Sequence, residues 1–379
     1  MDRLTVQLPE GQDPVSRNAL PFLHGHESEG VARVLASGHY THGPETEAFE
    51  RELARFLGVP DVVAVSFGTA ALHIALLAAG IGPGDVVVVP SFTFCATVQA
   101  VLACGAVPRF AEVDPATLCV TPGDLLEAVT PATRAVMPVL YGGRAVDLGG
   151  IAAELADRGI AVIEDAAHAF GSFAGERRVG ATGALTCFSF DPIKNLTCGE
   201  GGALVPRGPA EAQHARTIRD LGITQSRDQR SAAVSYTVET LGLRAHLPAL
   251  NAAIGRAQLA CFPETAQRRQ RLWHAYREAL DGLDGVTLVD VDIDRTVPFN
   301  CVVRIAARRD EVFTRLRAQG AGVGVHYPPN HEQPAFAAWH RPLPRTELAG
   351  RQVLSLPFHP ALGPGDAGRV AGLLREALR

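Results

Sequence analysis

The chain has 379 residues, 47% of them hydrophobic and 20% charged, with a formal net charge of −5. This composition belongs to a folded chain with a large core and excludes the disordered and fibrous classes; at about 100–200 residues per domain, it predicts two domains. Basic residues alternate with acidic ones and are nowhere dense enough to follow a phosphate backbone, so nucleic acid is not an expected partner.

The opening run MDRLTVQLPEGQDP has acidic residues and proline where a secretory signal has an apolar stretch. No later segment reaches the roughly 18 apolar residues of a membrane span, so a cytoplasmic protein is expected. Cys95, Cys104, Cys119, Cys187, Cys198, Cys261 and Cys301 form no C-x-x-C pair and join no histidine cluster. They read as buried thiols in a reducing compartment, with no metal site.

Between about residues 45 and 205, short β-branched runs alternate with Ala/Leu-rich segments of helical length, the pattern of parallel strands joined by crossover helices. Strands are predicted at 62–65, 86–90, 107–113, 135–140, 160–165, 186–190 and 202–206, and helices at 69–79, 93–104 and 148–157. After residue 250 a long helical stretch is expected to break at Pro263 and to end near Gly282. Single strands VTLVDV, FNCVVRI and GVGVHY and two amphipathic helices follow, and the Arg-rich run QRRQRLWHAYR reads as a solvated helix face. The fold class is α/β: a large domain (1–250) with a mostly parallel central sheet flanked by helices, plus a smaller C-terminal α+β domain (251–379).

In open α/β sheets, ligands bind beyond the carboxyl ends of the strands, and four predicted strand ends carry polar chemistry. After VVAV come Ser66, Phe67, Gly68 and Thr69, where a helix start offers N–H groups to a phosphate; an ordinary Thr-capped turn is the other reading. After VVVVP, Phe92 and Phe94 offer a ring to a flat ligand or belong to the core. IAVIED ends in Glu164 and Asp165, a carboxylate suited to a pyridine nitrogen or to capping a helix, with His168 shortly after. TCFSF leads through Ser189 to Lys194, whose apolar flanks Pro192, Ile193, Leu196 and Cys198 lower an amine pKa from the usual 10.4 or so. A solvated loop lysine is the alternative.

Taken in order, SGHYTHGPETEAFERELARFLGV, GTAALHIALLAAGIGPGDVVVVPSFTFCAT, VIEDAAHAFGS, CFSFDPIKNLTCGEGGA, LNAAIGRAQL, GVGVHYPP and LSLPFHP resemble the DegT-type sugar aminotransferases of the aspartate aminotransferase fold. The resemblance covers nearly the whole chain. It implies a pyridoxal 5′-phosphate enzyme in which Lys194 forms the Schiff base and shuttles a proton, and Asp165 partners the pyridinium. Gly68, Thr69 and Ser189 match the phosphate ligands, Phe94 the stacking ring, and His168 a contact near the ring hydroxyl. Tyr40, His326 and Tyr327 fall toward the substrates. An amino acid donor, glutamate, a nucleotide-linked keto sugar acceptor aminated at the fourth carbon, and a homodimer are implied as well. A cyclitol or other secondary-metabolite ketone, and a non-catalytic partner protein, are the competing readings.

Four positions depart from the family pattern: Phe67 before the Gly-Thr, Leu221 in IRDLGI, His246 where a contact to the neighbouring subunit's phosphate is usual, and Asn300 in PFNCVV.

Overall fold

The computed structural model describes residues 13–225, 229 and 232–379. The N-terminal run on which the absence of a secretory signal was read lies, apart from Asp13 and Pro14, outside the described residues.

The large sheet is built from β1 (Val63–Val65), β2 (Val86–Pro90), β3 (Val107–Ala111), β4 (Thr133–Val136) and β5 (Ala161–Asp165). After a two-stranded ribbon, β6 (Phe173–Ala174) with β7 (Arg177–Arg178), it is completed by β8 (Leu185–Ser189) and β9 (Gly202–Val205). The order is β1-β9-β8-β5-β4-β2-β3. Only β9 runs against the others, since it is antiparallel to both β1 and β8. The α/β class and mostly parallel sheet expected from the sequence are therefore present.

Alternation along the strands explains the layering. Val63, Val65, Val87 and Val89 face a core shared with the helices Gly68–Ala78, Cys95–Ala103 and Pro209–Arg219. Val62, Ala64, Ala203 and Val205 face the opposite core, under the helix Pro44–Leu57 and part of the long helix Ala249–Leu280. With both faces covered, near-continuous valine runs are what a parallel strand needs.

The second sheet has three antiparallel strands, β10 (Val286–Leu288), β11 (Cys301–Ile305) and β12 (Val353–Leu356). The helices Arg309–Ala318 and Pro364–Leu378 and the later turns of the long helix pack against it in a separate core. Two contributions cross between the halves of the chain. Val15 lies in the core of the small sheet, and Phe336 and Leu343 lie in that of the large one.

Three expectations are corrected. The long helix runs unbroken from Ala249 to Leu280 with Pro263 inside it. Pro263 itself is exposed, and packing on both sides of the proline outweighs its cost. GVGVHY forms no strand and touches the sheet through one bridge, Gly324 to Ser355; the prolines at 328 and 329 end its pairing capacity. The third strand is instead Val353–Leu356, from the LSLPFHP region. The 135–140 run pairs regularly only to Val136 and then through the bridge Val139 to Asp165, because Pro138 has no N–H to offer.

Candidate active site

Because β1, β2, β5 and β8 run the same way, the residues that follow them meet at one edge of the sheet. At the end of β1 the helix Gly68–Ala78 begins with Phe67 as its N-cap and no side-chain cap. Thr69 sits inside the helix, which removes the reading of a Thr-capped turn. Backbone packs closely on backbone here. A Cβ on Gly68 would stand 2.7 Å from Ser189 Cβ, and one on Gly202 would stand 2.9 Å from the Gly68 nitrogen. Ser66 Oγ is buried and has no hydrogen-bond partner among the described residues. An uncapped helix start, a hydroxyl on each side and a third left unpaired fit a bound phosphate.

At the end of β5, Asp165 is 5% exposed. Its Oδ2 accepts the Thr97 hydroxyl at 2.7 Å, Thr97 Oγ1 lies 2.9 Å from Thr93 Oγ1, and Oδ1 accepts the Ala167 N–H at 3.2 Å. Burial pushes the Asp165 carboxyl above its usual range, while Thr97, the Ala167 N–H and the Lys194 charge oppose the rise. No helix follows Asp165; turns do, so it is not a helix cap. Glu164, its neighbour in sequence, is buried beside Thr186, whose hydroxyl donates to it at 2.7 Å, and takes no part in this edge.

Lys194 lies in the loop after β8, where the Ile193 N–H donates to Asp191 Oδ1 at 3.1 Å and the Lys194 N–H to the Asp191 carbonyl at 3.1 Å. Its Nζ stands 4.4 Å from the centroid of the Phe299 ring. Burial lowers its pKa to about 8, with Asp191 and Asp165 opposing and Arg269 assisting. The amine is desolvated, which excludes the solvated loop lysine, and is far more often neutral near pH 7 than an ordinary lysine.

His168 stacks on the same Phe299 ring, with centroids 4.0 Å apart and planes inclined by 20°. The Gly142 N–H donates to Nδ1 at 3.4 Å, which leaves Nε2 to donate to the Tyr327 hydroxyl at 3.2 Å. Burial first, then the Lys194 charge, holds His168 well below its usual pKa, so it is neutral. Phe94 is 55% exposed, with its ring 5.6 Å from Tyr327. His326 Nδ1 lies 2.8 Å from Ser355 Oγ, and its carbonyl accepts the Tyr141 hydroxyl.

The structure thus gathers Asp165, His168, Lys194, His326, Tyr327 and Phe94 in one group, and Gly68, Thr69 and Ser189 at the adjoining strand ends. Tyr40 is not joined to that group by any contact among the described residues. It is exposed, its hydroxyl donates to the Leu35 carbonyl at 3.2 Å, and its own carbonyl accepts the Ala249 N–H at the start of the long helix. His246 pairs with Val65 of its own chain and lies 4.0 Å from Asp220, next to Ser66 in the ladder. Asn300 Nδ2 donates to the Tyr141 hydroxyl at 3.4 Å, whereas Leu221 is exposed at a positive φ of 65°. Sequence reasoning missed Thr97, Phe299 and Arg269. Thr97 carried a signal, being one turn after Phe94, but nothing in the sequence marks Phe299 as the ring beneath Lys194.

A buried carboxylate, a desolvated amine beside it and an open helix start at one edge of a mostly parallel sheet define a site for a flat phosphorylated aldehyde, the architecture of the pyridoxal phosphate aminotransferases. The chain belongs to the DegT/DnrJ/EryC1/StrS aminotransferase family, which it matches over residues 22–375. It is an aminotransferase, and the cofactor of the family is pyridoxal 5′-phosphate. Among its relatives is the dTDP-3-amino-3,4,6-trideoxy-alpha-D-glucose transaminase of Streptomyces venezuelae, 39% identical over 93% of this chain and 92% of that one. The spore coat polysaccharide biosynthesis protein SpsC of Bacillus subtilis is 33% identical over 95% and 96% of the two chains. The crystal structure of the aminotransferase TlmJ from Streptoalloteichus hindustanus superimposes with a TM-score of 0.89 at 35% identity, covering 96% of this chain and 98% of that one.

Proposed function

We propose that this aminotransferase moves an amino group from L-glutamate to the keto group of a nucleotide-linked sugar, with the cofactor attached through Lys194 as a Schiff base. The observation that carries the reading is the Lys194 amine, desolvated over Phe299 and close enough to Asp165 for their charges to interact.

When bound, pyridoxal phosphate supplies an aldehyde that condenses with amines and a ring that takes up the electron pair released at the adjacent carbon. The rest is done by side chains of the chain. Thr69, Ser189, the unpaired Ser66 hydroxyl and the helix start at Gly68 hold the phosphate. The Asp165 carboxylate, whose upward push by burial the Thr97 hydroxyl and the Ala167 N–H oppose, would partner the pyridine nitrogen. Phe94 would cover one face of the ring, and neutral His168, fixed by Phe299 and Tyr327, would contact its hydroxyl. Lys194 Nζ, with its lowered proton affinity, removes a proton from the donor's α-carbon and returns one to the acceptor carbon. His326 and Tyr327 stand on the small-sheet side of the group, where the acceptor enters. Tyr40 joins the site only if a second chain brings it there.

The acceptor class rests on the relatives. The CFSFDPIKNLTCGEGG run points to the fourth carbon, but the name of the S. venezuelae relative places its amino group on the third. At 39% identity, the relative is the stronger support, and the third carbon is the reading adopted. The test is to incubate the pyridoxamine phosphate form with dTDP-linked 3-keto and 4-keto sugars and to follow the amino sugar by mass spectrometry. The 3-keto sugar should be aminated; conversion of a cyclitol ketone alone would overturn the sugar assignment.

Three further readings belong to the same proposal. The division into domains falls at residues 1–250 and 251–379, near the start of the long helix. The functional unit is a homodimer, because Val234, Tyr236, Val238 and Leu241 lie open to water on one segment, an apolar surface that a second copy would cover. The compartment is the cytoplasm, in keeping with seven unpaired cysteines. Among the described residues no helix is long and apolar enough to cross a membrane.

A further inference from the structure

Arg269 is the largest side chain buried to under 2% of its surface, or close to it, and it sits on the long helix beneath the Lys194 loop. Among the described residues no carboxylate lies within 4.0 Å of it, and its partners are all backbone carbonyls. One terminal nitrogen donates to Phe299 at 3.0 Å and to Pro298 at 3.4 Å; the other donates to Ile193 at 3.4 Å. Nε has no partner. Burial lowers the guanidinium pKa to about 9, so it remains a cation at neutral pH. His359, its titratable neighbour, is held neutral by burial at about 4. A buried charge without a counter-ion is costly, and an apolar side chain of similar volume is often as stable or more so.

The carbonyls it holds are informative. Ile193 immediately precedes the reactive lysine, and Phe299 carries the ring over which that lysine's amine stands. We propose that Arg269 is a positioning residue for Lys194: by bridging the Ile193 and Phe299 carbonyls it fixes the loop and the ring in the one arrangement that holds the amine over the Phe299 face. This rests on the reading of Lys194 as the amine that takes the cofactor.

The placement of charge acts in the same direction. The groups around Lys194 are Asp191 on its own loop, Asp165 at the end of β5, His168 and His326, both held neutral by burial, and Arg269 from the long helix. Both carboxylates favour protonation of the amine. Arg269 is the fixed cation that opposes them. Its fork fixes the loop and the ring that place the amine, and its charge lowers the amine's affinity for a proton.

The test uses the full-length chain freed of cofactor and measures how fast added pyridoxal phosphate develops its visible band as a function of pH. Three proteins are compared: wild type, Arg269→Gln, which keeps donors and loses the charge, and Arg269→Lys, which keeps the charge and loses the fork. Arg269→Gln should move the pH midpoint upward and slow band formation at neutral pH by up to about tenfold, one pKa unit being a factor of ten. Arg269→Lys should keep the wild-type midpoint but form the band severalfold more slowly at every pH. If Arg269→Gln does not fold, the Lys variant decides alone, and a wild-type rate there would overturn the proposal. Unchanged midpoint and rate in both variants would overturn it as well. Lys194→Ala separates the two claims. A band that forms on it as on wild type refutes the role of Lys194, whereas a Lys194-dependent band indifferent to Arg269 refutes only the positioning role.

Discussion

The Thr97 hydroxyl donates to Asp165 Oδ2 across 2.7 Å, deep inside the protein. It is the main influence opposing the upward push of burial on that carboxyl. Thr97→Val keeps the shape and deletes the donor, so Asp165 should hold its proton to higher pH. The acid limb of the kcat/KM profile should then move upward, with a loss at neutral pH of roughly 10- to 150-fold, as expected for a hydrogen bond to a charged group worth about 1.5–3 kcal/mol. Asp165→Asn should lose on the order of 10²–10⁴, the range of a positioned acid–base group. A Thr97→Val profile that superimposes on wild type would show that the hydroxyl does not tune Asp165.

Lys194 should be a burden on the cofactor-free fold. Its pKa falls from 10.5 in the unfolded chain to about 8 in the folded one. Between those values the unfolded chain binds a proton that the folded chain does not, so stability rises with pH across that window and the full penalty applies below it. The penalty is at most on the order of 3 kcal/mol. Lys194→Met should therefore melt at a higher temperature than wild type at neutral pH, with the gap closing toward pH 10.5. A variant that melts lower at neutral pH would mean that the amine is not desolvated as described.

Much of this was legible in the sequence for a simple reason: strands end where β-branched runs end. Ser66, Asp165 and Ser189 follow or close such runs, and parallel strands bring their ends together whatever the loops do. Partners contributed from far along the chain were not legible. Phe299 and Arg269 look like ordinary core and helix-face residues until the long helix and β11 are packed against the Lys194 loop. QRRQRLWHAYR was read as a solvated face, yet Arg269 and Trp273 within it are buried. Pro263 misled in the opposite direction, because local propensity predicted a break that packing along the helix overrode.

Gly68 faces the Ser189 side chain so closely that an alanine Cβ would lie 2.7 Å from Cβ and 2.9 Å from Oγ. Gly68→Ala should displace Ser189 and disturb the helix start together. Equilibrium dialysis of pyridoxal phosphate should show binding weakened roughly 10- to 100-fold, equivalent to about 1.4–2.7 kcal/mol. Affinity equal to that of wild type would remove Ser189 from the phosphate site.

Val234 and Leu241 are almost wholly exposed. Sedimentation should find wild type as a dimer, and Leu241→Asp should shift it toward monomer, since an unpaired charge buried in an interface is costly. A monomer that retains full activity would contradict the shared assembly proposed above.

The most direct measurement is the visible absorption of the purified protein loaded with pyridoxal phosphate, before and after L-glutamate, alongside Lys194→Ala. The account predicts a yellow wild type whose band bleaches on addition of glutamate and returns with a keto sugar nucleotide, and a Lys194→Ala protein that lacks the wild-type band. A Lys194→Ala protein with the same band and the same bleaching would contradict it.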